Sequence, residues 1–224
     1  MNIKFLKMAV AGLVLGVSGF ANAGLILQAS DVIADSSNGF AIDDNLINKS
    51  GLSASYISQS TDFDIFVNGT THSNNCSSGS EGSEGCDVWA NVPSIIFPFN
   101  IVFSLGGQFD IESLALWNYG VSGLGLVDFS LFASNDISFS SSTLLGNYSA
   151  LNPSTPSSAG QIFSFNSVNT SFVKMILRSN GGDTSQVAMG EVAFELSTTE
   201  VPEPSTLAVF ALGLMGLASR RFKK

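Results

Sequence analysis

Between residues 24 and 198 no stretch sustains the 3.6-residue apolar period of a long helix. The apolar side chains come instead in short runs, at 25–28, 63–68, 101–105, 113–117, 129–134, 162–165, 172–177 and 191–196. Gly, Ser, Asn and Pro separate the runs. In Phe129-Ser130-Leu131-Phe132 and Phe172-Val173-Lys174-Met175-Ile176-Leu177, polar and apolar residues partly alternate, as in strands with one buried face. Many short strands punctuated by turns predict an all-β sandwich or jelly roll. The chain's 18 phenylalanines would supply much of its core. Residues 70–85 and 147–160 are expected to be surface loops.

The charged residues are unevenly placed. Lys4 and Lys7 lie at the start, and Arg220, Arg221, Lys223 and Lys224 at the end. The middle keeps three basic residues, Lys49, Lys174 and Arg178, against 16 acidic ones, a net charge of −13. Such a surface repels phosphate backbones, so nucleic acid is excluded as a partner.

The two ends read as targeting segments. Lys4 and Lys7 precede an apolar run from Met8 to Phe20, and Ala21-Asn22-Ala23 presents small residues at a cleavage site. Residues 1–23 are therefore expected to form a secretory signal helix, removed by signal peptidase to leave Gly24 first. At the other end, Pro202 and Pro204 bracket Glu203 and hold the chain extended. Residues 207–218 are apolar and are expected to form a short helix. It would be about 18 Å long, short of a bilayer core of roughly 30 Å unless flanking residues extend it. The closing basic cluster favours the cytoplasmic side of the inner membrane. Cys76 and Cys86, an even count in an exported chain, are expected to form a disulfide.

Val201-Pro202-Glu203-Pro204, the apolar run and the Arg-rich end resemble, in order and position, the PEP-CTERM sorting signal. The resemblance implies a Gram-negative host that makes extracellular polysaccharide. It also implies exosortase, a membrane enzyme that recognises the motif and removes the tail. The chain then divides into a signal peptide (1–23), a central domain (24–198) and a sorting signal (199–224). The implied destination is the cell surface or extracellular matrix, with membrane tethering before processing.

A second resemblance spans about 150 residues of the central domain. The segments 45–52, 100–106 (Asn-Ile-Val-Phe-Ser-Leu-Gly), 111–118, 128–136, 172–177 and 190–194 resemble successive elements of discoidin-like (F5/8 type C, galactose-binding-like) domains. The resemblance implies a discoidin-like jelly-roll β-sandwich. It also implies a structural calcium where the opening loop meets the last strand, at positions matching Asp43, Asp44, Asn45 and Glu191. Calcium takes six to eight oxygens, which such a loop and Glu191 would in part supply. The chain departs from the pattern at Ile47-Asn48-Lys49, where Lys49 brings a positive charge.

Catalytic patterns are thin. His72 is the only histidine and is expected in an exposed loop, which suits neither a triad nor zinc. Asp43/Asp44, Asp62/Asp64 and Glu81/Glu84 are the closest acidic groups; a glycosidase would need two carboxyls facing each other across a sugar. Trp117 falls mid-strand and reads as core, while Trp89 and Tyr119 fall near loops where a sugar could stack. The expectation is a non-catalytic, carbohydrate- or matrix-binding adhesion module that needs no cofactor beyond the implied calcium. The alternatives are a purely structural matrix protein and a polysaccharide hydrolase.

Overall fold

The computed structural model describes residues 24–35, 43–73, 87–91, 97–121, 123–152, 155 and 157–197. The expected signal and C-terminal helices and both cysteines lie outside the described residues. Among the described residues no helix is long and apolar enough to cross a membrane.

Among the described residues nine strands carry the fold: β1 (Leu25–Leu27), β2 (Asp31–Ala34), β3 (Thr71–Ser73), β4 (Trp89–Asn91), β5 (Phe99–Asn118), β6 (Asp128–Ser134), β7 (Thr143–Ser149), β8 (Ser157–Leu177) and β9 (Val187–Leu196). Every named pairing is antiparallel. The path runs β1-β9-β5-β8-β6-β7, with β2 beside β5, β3 beside β8 and β4 beside β9. The class is all-β, as the turn-punctuated runs require.

Two long strands turn this path into a sandwich. β5 and β8 pair along almost their whole lengths, but the register shifts between Ser104 and Phe109. Gly106 sits in that interval at φ +80°, a conformation that costs glycine little. Before the bend, β5 and β8 lie between β2 and β6. Beyond it, the same two strands lie between β9 and β3. Each strand thus serves two layers. The runs expected separately at 101–105 and 113–117 are the two halves of β5, and those at 162–165 and 172–177 belong to β8.

The layers meet through aromatic side chains. Phe103 from the first packs edge-on against Phe194 from the second, with centroids 5.7 Å apart. Phe129 meets Phe163 at 5.0 Å in the same manner. Along β5, Phe99, Ile101, Phe103 and Leu105 point inward while the residues between them are half-exposed. Beyond the bend both faces of β5 are buried. Leu114 and Leu116 join the main core, while Ala115 and Trp117 face a second cluster with Ile26, Tyr56, Phe63, Phe66 and Val67.

That second cluster exists because of a helix the sequence reading missed. Residues 63–68 are expected as a strand, but Phe63–Gly69 is a helix, α1. Asp62 caps it, its side chain accepting from the Ile65 N–H at 2.8 Å. Phe63, Phe66 and Val67 form the i, i+3, i+4 face, buried on the sheet. Seven residues make no stable helix alone, so docking holds it. Three buried side chains at about 1.5–3 kcal/mol each are enough to do so.

Two loop expectations are also corrected. His72 is fully buried within β3, paired with Ser158 of β8. Within 147–160, residues 147–149 complete β7 and 157–160 begin β8.

Candidate functional site

The β6–β7 turn and the bend of β8 enclose an open cleft of about 330 Å³. Small-molecule sites start at roughly this size. Its lining is mostly hydroxyls and amides: Ser134, Asn135, Ser141, Ser142, Thr143, Asn169 and Thr170, with Asp136 the only charged member. The register that pairs Ser134 with Phe172, 38 residues further along the chain, brings the two segments together.

Hydrogen bonds fix the rim. The buried Thr170 hydroxyl donates to the Ser134 carbonyl at 2.8 Å. The Ser134 hydroxyl lies 2.8 Å from the carbonyl oxygens of both Asp136 and Ser141 and accepts from the Asp136 N–H at 3.0 Å. Asp136 accepts from the Ser138 hydroxyl, from the Ser140 hydroxyl at 2.6 Å and from the Ser138 N–H at 3.0 Å. These bonds, led by the Ser138 hydroxyl, hold the Asp136 carboxyl down at about 2. Asn169 donates to Asp110 at 3.0 Å. Ser142 and Thr143 are exposed, and their hydroxyls have no partner among the described residues. Beside the cleft, Phe139 takes a positive φ of 52° and the Lys174 ammonium sits 4.4 Å from its ring centroid.

This arrangement presents hydroxyls, amides and one carboxylate of the kind that hydrogen-bond a polyhydroxyl ligand. The carboxyl of Asp136 has a lowered pKa, whereas a general acid needs it raised.

The aromatic residues expected to stack a sugar lie elsewhere. Trp89 is fully buried, donates its indole N–H to Asp43 at 3.2 Å and packs 5.8 Å from Phe99. Tyr119 is buried with Val88, Ala90, Leu124 and Ala188. Neither ring presents a face to ligand, so both assignments are corrected: an amphipathic aromatic near a loop closes the core here. Trp117 is core as expected, its indole N–H donating to the Thr70 carbonyl at 3.0 Å.

Three of the four side chains expected to hold calcium already make hydrogen bonds within the protein. The fold does bring the opening loop to the last strand: the Lys49 N–H donates to Glu191 Oε2 at 2.9 Å across 142 residues. Asp43, however, already receives the Ala34 N–H at 3.2 Å on one oxygen and the Trp89 indole on the other. Asp44 is exposed on the 3-10 turn Asp43–Leu46. The Asn45 amide nitrogen donates to the Val88 carbonyl, and its oxygen accepts from Asn48. Among the described residues no group of three acidic, histidine or cysteine side chains is placed to hold a metal. Of the four, Glu191 keeps a buried oxygen, Oε1, without a hydrogen-bond partner. Burial pushes its carboxyl well above the usual range, against a smaller opposing pull from the Lys49 N–H and ammonium. The ammonium itself donates to the Tyr56 carbonyl at 3.1 Å and lies 4.5 Å from the Tyr56 ring centroid.

Comparison with known proteins adds two findings. Residues 200–224 match the PEP-CTERM protein-sorting motif, within which Val201, Pro202, Glu203 and Pro204 lie. This motif marks a secreted protein sorted to the cell surface by exosortase. No curated protein matches the chain. Solved structures similar to it are carbohydrate-binding modules of the discoidin-like family 32 and a related chitosan-binding module. One is the CBM32 of AlyQ in complex with 4,5-unsaturated mannuronic acid, at 15% identity and TM-score 0.45, covering 76% of this chain and 97% of that one. Another is the family 32 module of C. perfringens NanJ in complex with galactose, at 13% identity and TM-score 0.46, covering 76% and 98%. A third is chitosan-binding module 1 of a chitosanase/glucanase from Paenibacillus sp. IK-5, at 13% identity and TM-score 0.44, covering 76% and 97%.

Proposed function

We propose that this protein is a non-catalytic carbohydrate-binding module that exosortase delivers to the cell surface, where it engages extracellular polysaccharide. The cleft at the β6–β7 turn carries the reading. Hydrogen bonds hold Ser134, Asp136, Asn169 and Thr170 in place before any ligand arrives, which lowers the cost of binding. The Ser142 and Thr143 hydroxyls are free to meet a sugar. Asp136 remains ionised and can accept from sugar hydroxyls. The domain's strong negative charge disfavours uronate chains, so neutral polysaccharide is the favoured class. Before processing, the chain is tethered in the inner membrane by its C-terminal run.

A glycan array with the exported protein tests this. Binding to neutral glycans should fall in the Ser142→Ala/Thr143→Val double variant. Losing two neutral hydrogen bonds at about 0.5–1.5 kcal/mol each corresponds to a roughly 5- to 150-fold weaker Kd. An array without binders would instead mean a purely structural matrix protein. Release of new reducing ends from host polysaccharide would mean a hydrolase.

A further inference from the structure

The expected cleavage point and the sheet edge coincide in a way that neither targeting nor sugar binding explains. Gly24 is buried at the start of β1, one residue before the Leu25–Leu196 pair. Its carbonyl accepts from the Phe63 N–H at 2.8 Å, so its backbone faces the first turn of α1. The Glu195 carboxyl lies over its Cα: a Cβ there would come within 2.3 Å of Oε1. Glu195 is only 8% exposed. It feels three further carboxylates, Glu112 on β5, Asp64 on α1 and the capping Asp62, and burial together with this crowding raises its pKa. The Ser113 hydroxyl on β5 bonds to Glu195, and the Ser197 hydroxyl to Glu112 at 3.1 Å, but neither brings charge.

Glu195 thus feels three other carboxylates and, among the described residues, has no basic side chain as partner. The three basic residues of the described chain are engaged elsewhere. Lys49 is at Tyr56, Lys174 is at Phe139, and Arg178 donates to the Ser130 hydroxyl at 2.7 Å. Among the described residues one further cation can arise at this place. In the precursor the Gly24 nitrogen is a neutral amide; once the peptide bond after Ala23 is hydrolysed it is an α-ammonium group.

We propose that the Gly24 α-ammonium, created by signal removal, is the counter-ion of the Glu195 carboxylate that lies against Gly24, so that processing completes this edge of the fold. A side chain at position 24 would displace Glu195 from over the chain start. The inference rests on cleavage before Gly24 and is independent of the sugar-binding reading.

The full chain is exported from a Sec-competent host and its N-terminus is read by intact mass. The α-amine is then titrated by NMR after reductive methylation with ¹³C-formaldehyde. An ordinary α-amine titrates at about 7.7–8.0. Here it should titrate at least about one unit higher, a tenfold shift in proton affinity. Glu195→Gln should return it toward the ordinary range, and Asp64→Asn, at an exposed helix position, should lower it by less. A form that retains Ala23 should melt at lower temperature than the form starting at Gly24, with the difference largely gone in Glu195→Gln. An N-terminus other than Gly24 would overturn the proposal. So would an amine titrating near 8 in wild type and indifferent to Asp64→Asn.

Discussion

Glu191 gives the sharpest thermodynamic handle on this fold. It sits in mid-β9, fully buried, with one oxygen on the Lys49 N–H and the other unpartnered. Burial raises its folded pKa well above the ordinary 4.5, while in the unfolded chain it titrates near that value. Between those two values the folded state therefore holds more proton than the unfolded state. The contribution to stability is full below about pH 4.5 and is lost as pH rises toward the folded pKa. The steepest loss one group can cause is about 1.4 kcal/mol per pH unit. Glu191→Gln keeps an oxygen for the Lys49 N–H and removes the ionisation. Urea unfolding of wild type and variant at intervals from pH 4 to 8 measures the effect. Wild-type stability should fall relative to the variant through that window, the difference approaching the limiting slope. Parallel curves would refute the buried, unpaired carboxyl. A difference of opposite sign would mean that a cation, such as calcium, holds Glu191 ionised.

Three further outcomes are expected. Asp62→Ala removes the cap of α1 and should cost about 1 kcal/mol by denaturant midpoint, with the sheet signal in circular dichroism unchanged. An epitope tag placed after Lys224 should be absent from surface-exposed protein in a host with exosortase, and its persistence there would contradict removal of the tail. Mass spectrometry of periplasmically produced protein should show Cys76 bonded to Cys86, a link worth at most about 2–3 kcal/mol for so short a loop, and two free thiols would contradict it.

The C-terminal sorting motif and most strands were legible because each depends on local chemistry. The Pro202-Glu203-Pro204 motif carries its meaning in sequence alone. The alternation in 129–134 and 172–177 follows directly from burying one face of a strand. α1 was not legible because 63–68 is too short to separate the two periods: Phe63, Ile65, Phe66 and Val67 suit either one, and the Asp62 cap was the signal passed over. Trp89 was misplaced because its neighbours look like loop, whereas β4 pairs with β9 and buries it. The cleft was invisible for a different reason. Ser134, Ser142, Thr143 and Asn169 resemble any turn in this serine-rich chain, and only the β6–β8 register joins them. Lys49 was the one residue that argued against calcium from sequence, and the structure places its N–H on Glu191 itself.

The central claim is that a neutral polysaccharide binds at the β6–β7 turn. An amide ¹H–¹⁵N titration of the exported protein with the best-binding neutral oligosaccharide tests it most directly. Shifts should concentrate at 133–143 and 168–170, saturate, and weaken in Ser142→Ala/Thr143→Val. Shifts clustered on another face of the sandwich, or none at millimolar sugar, would contradict the account.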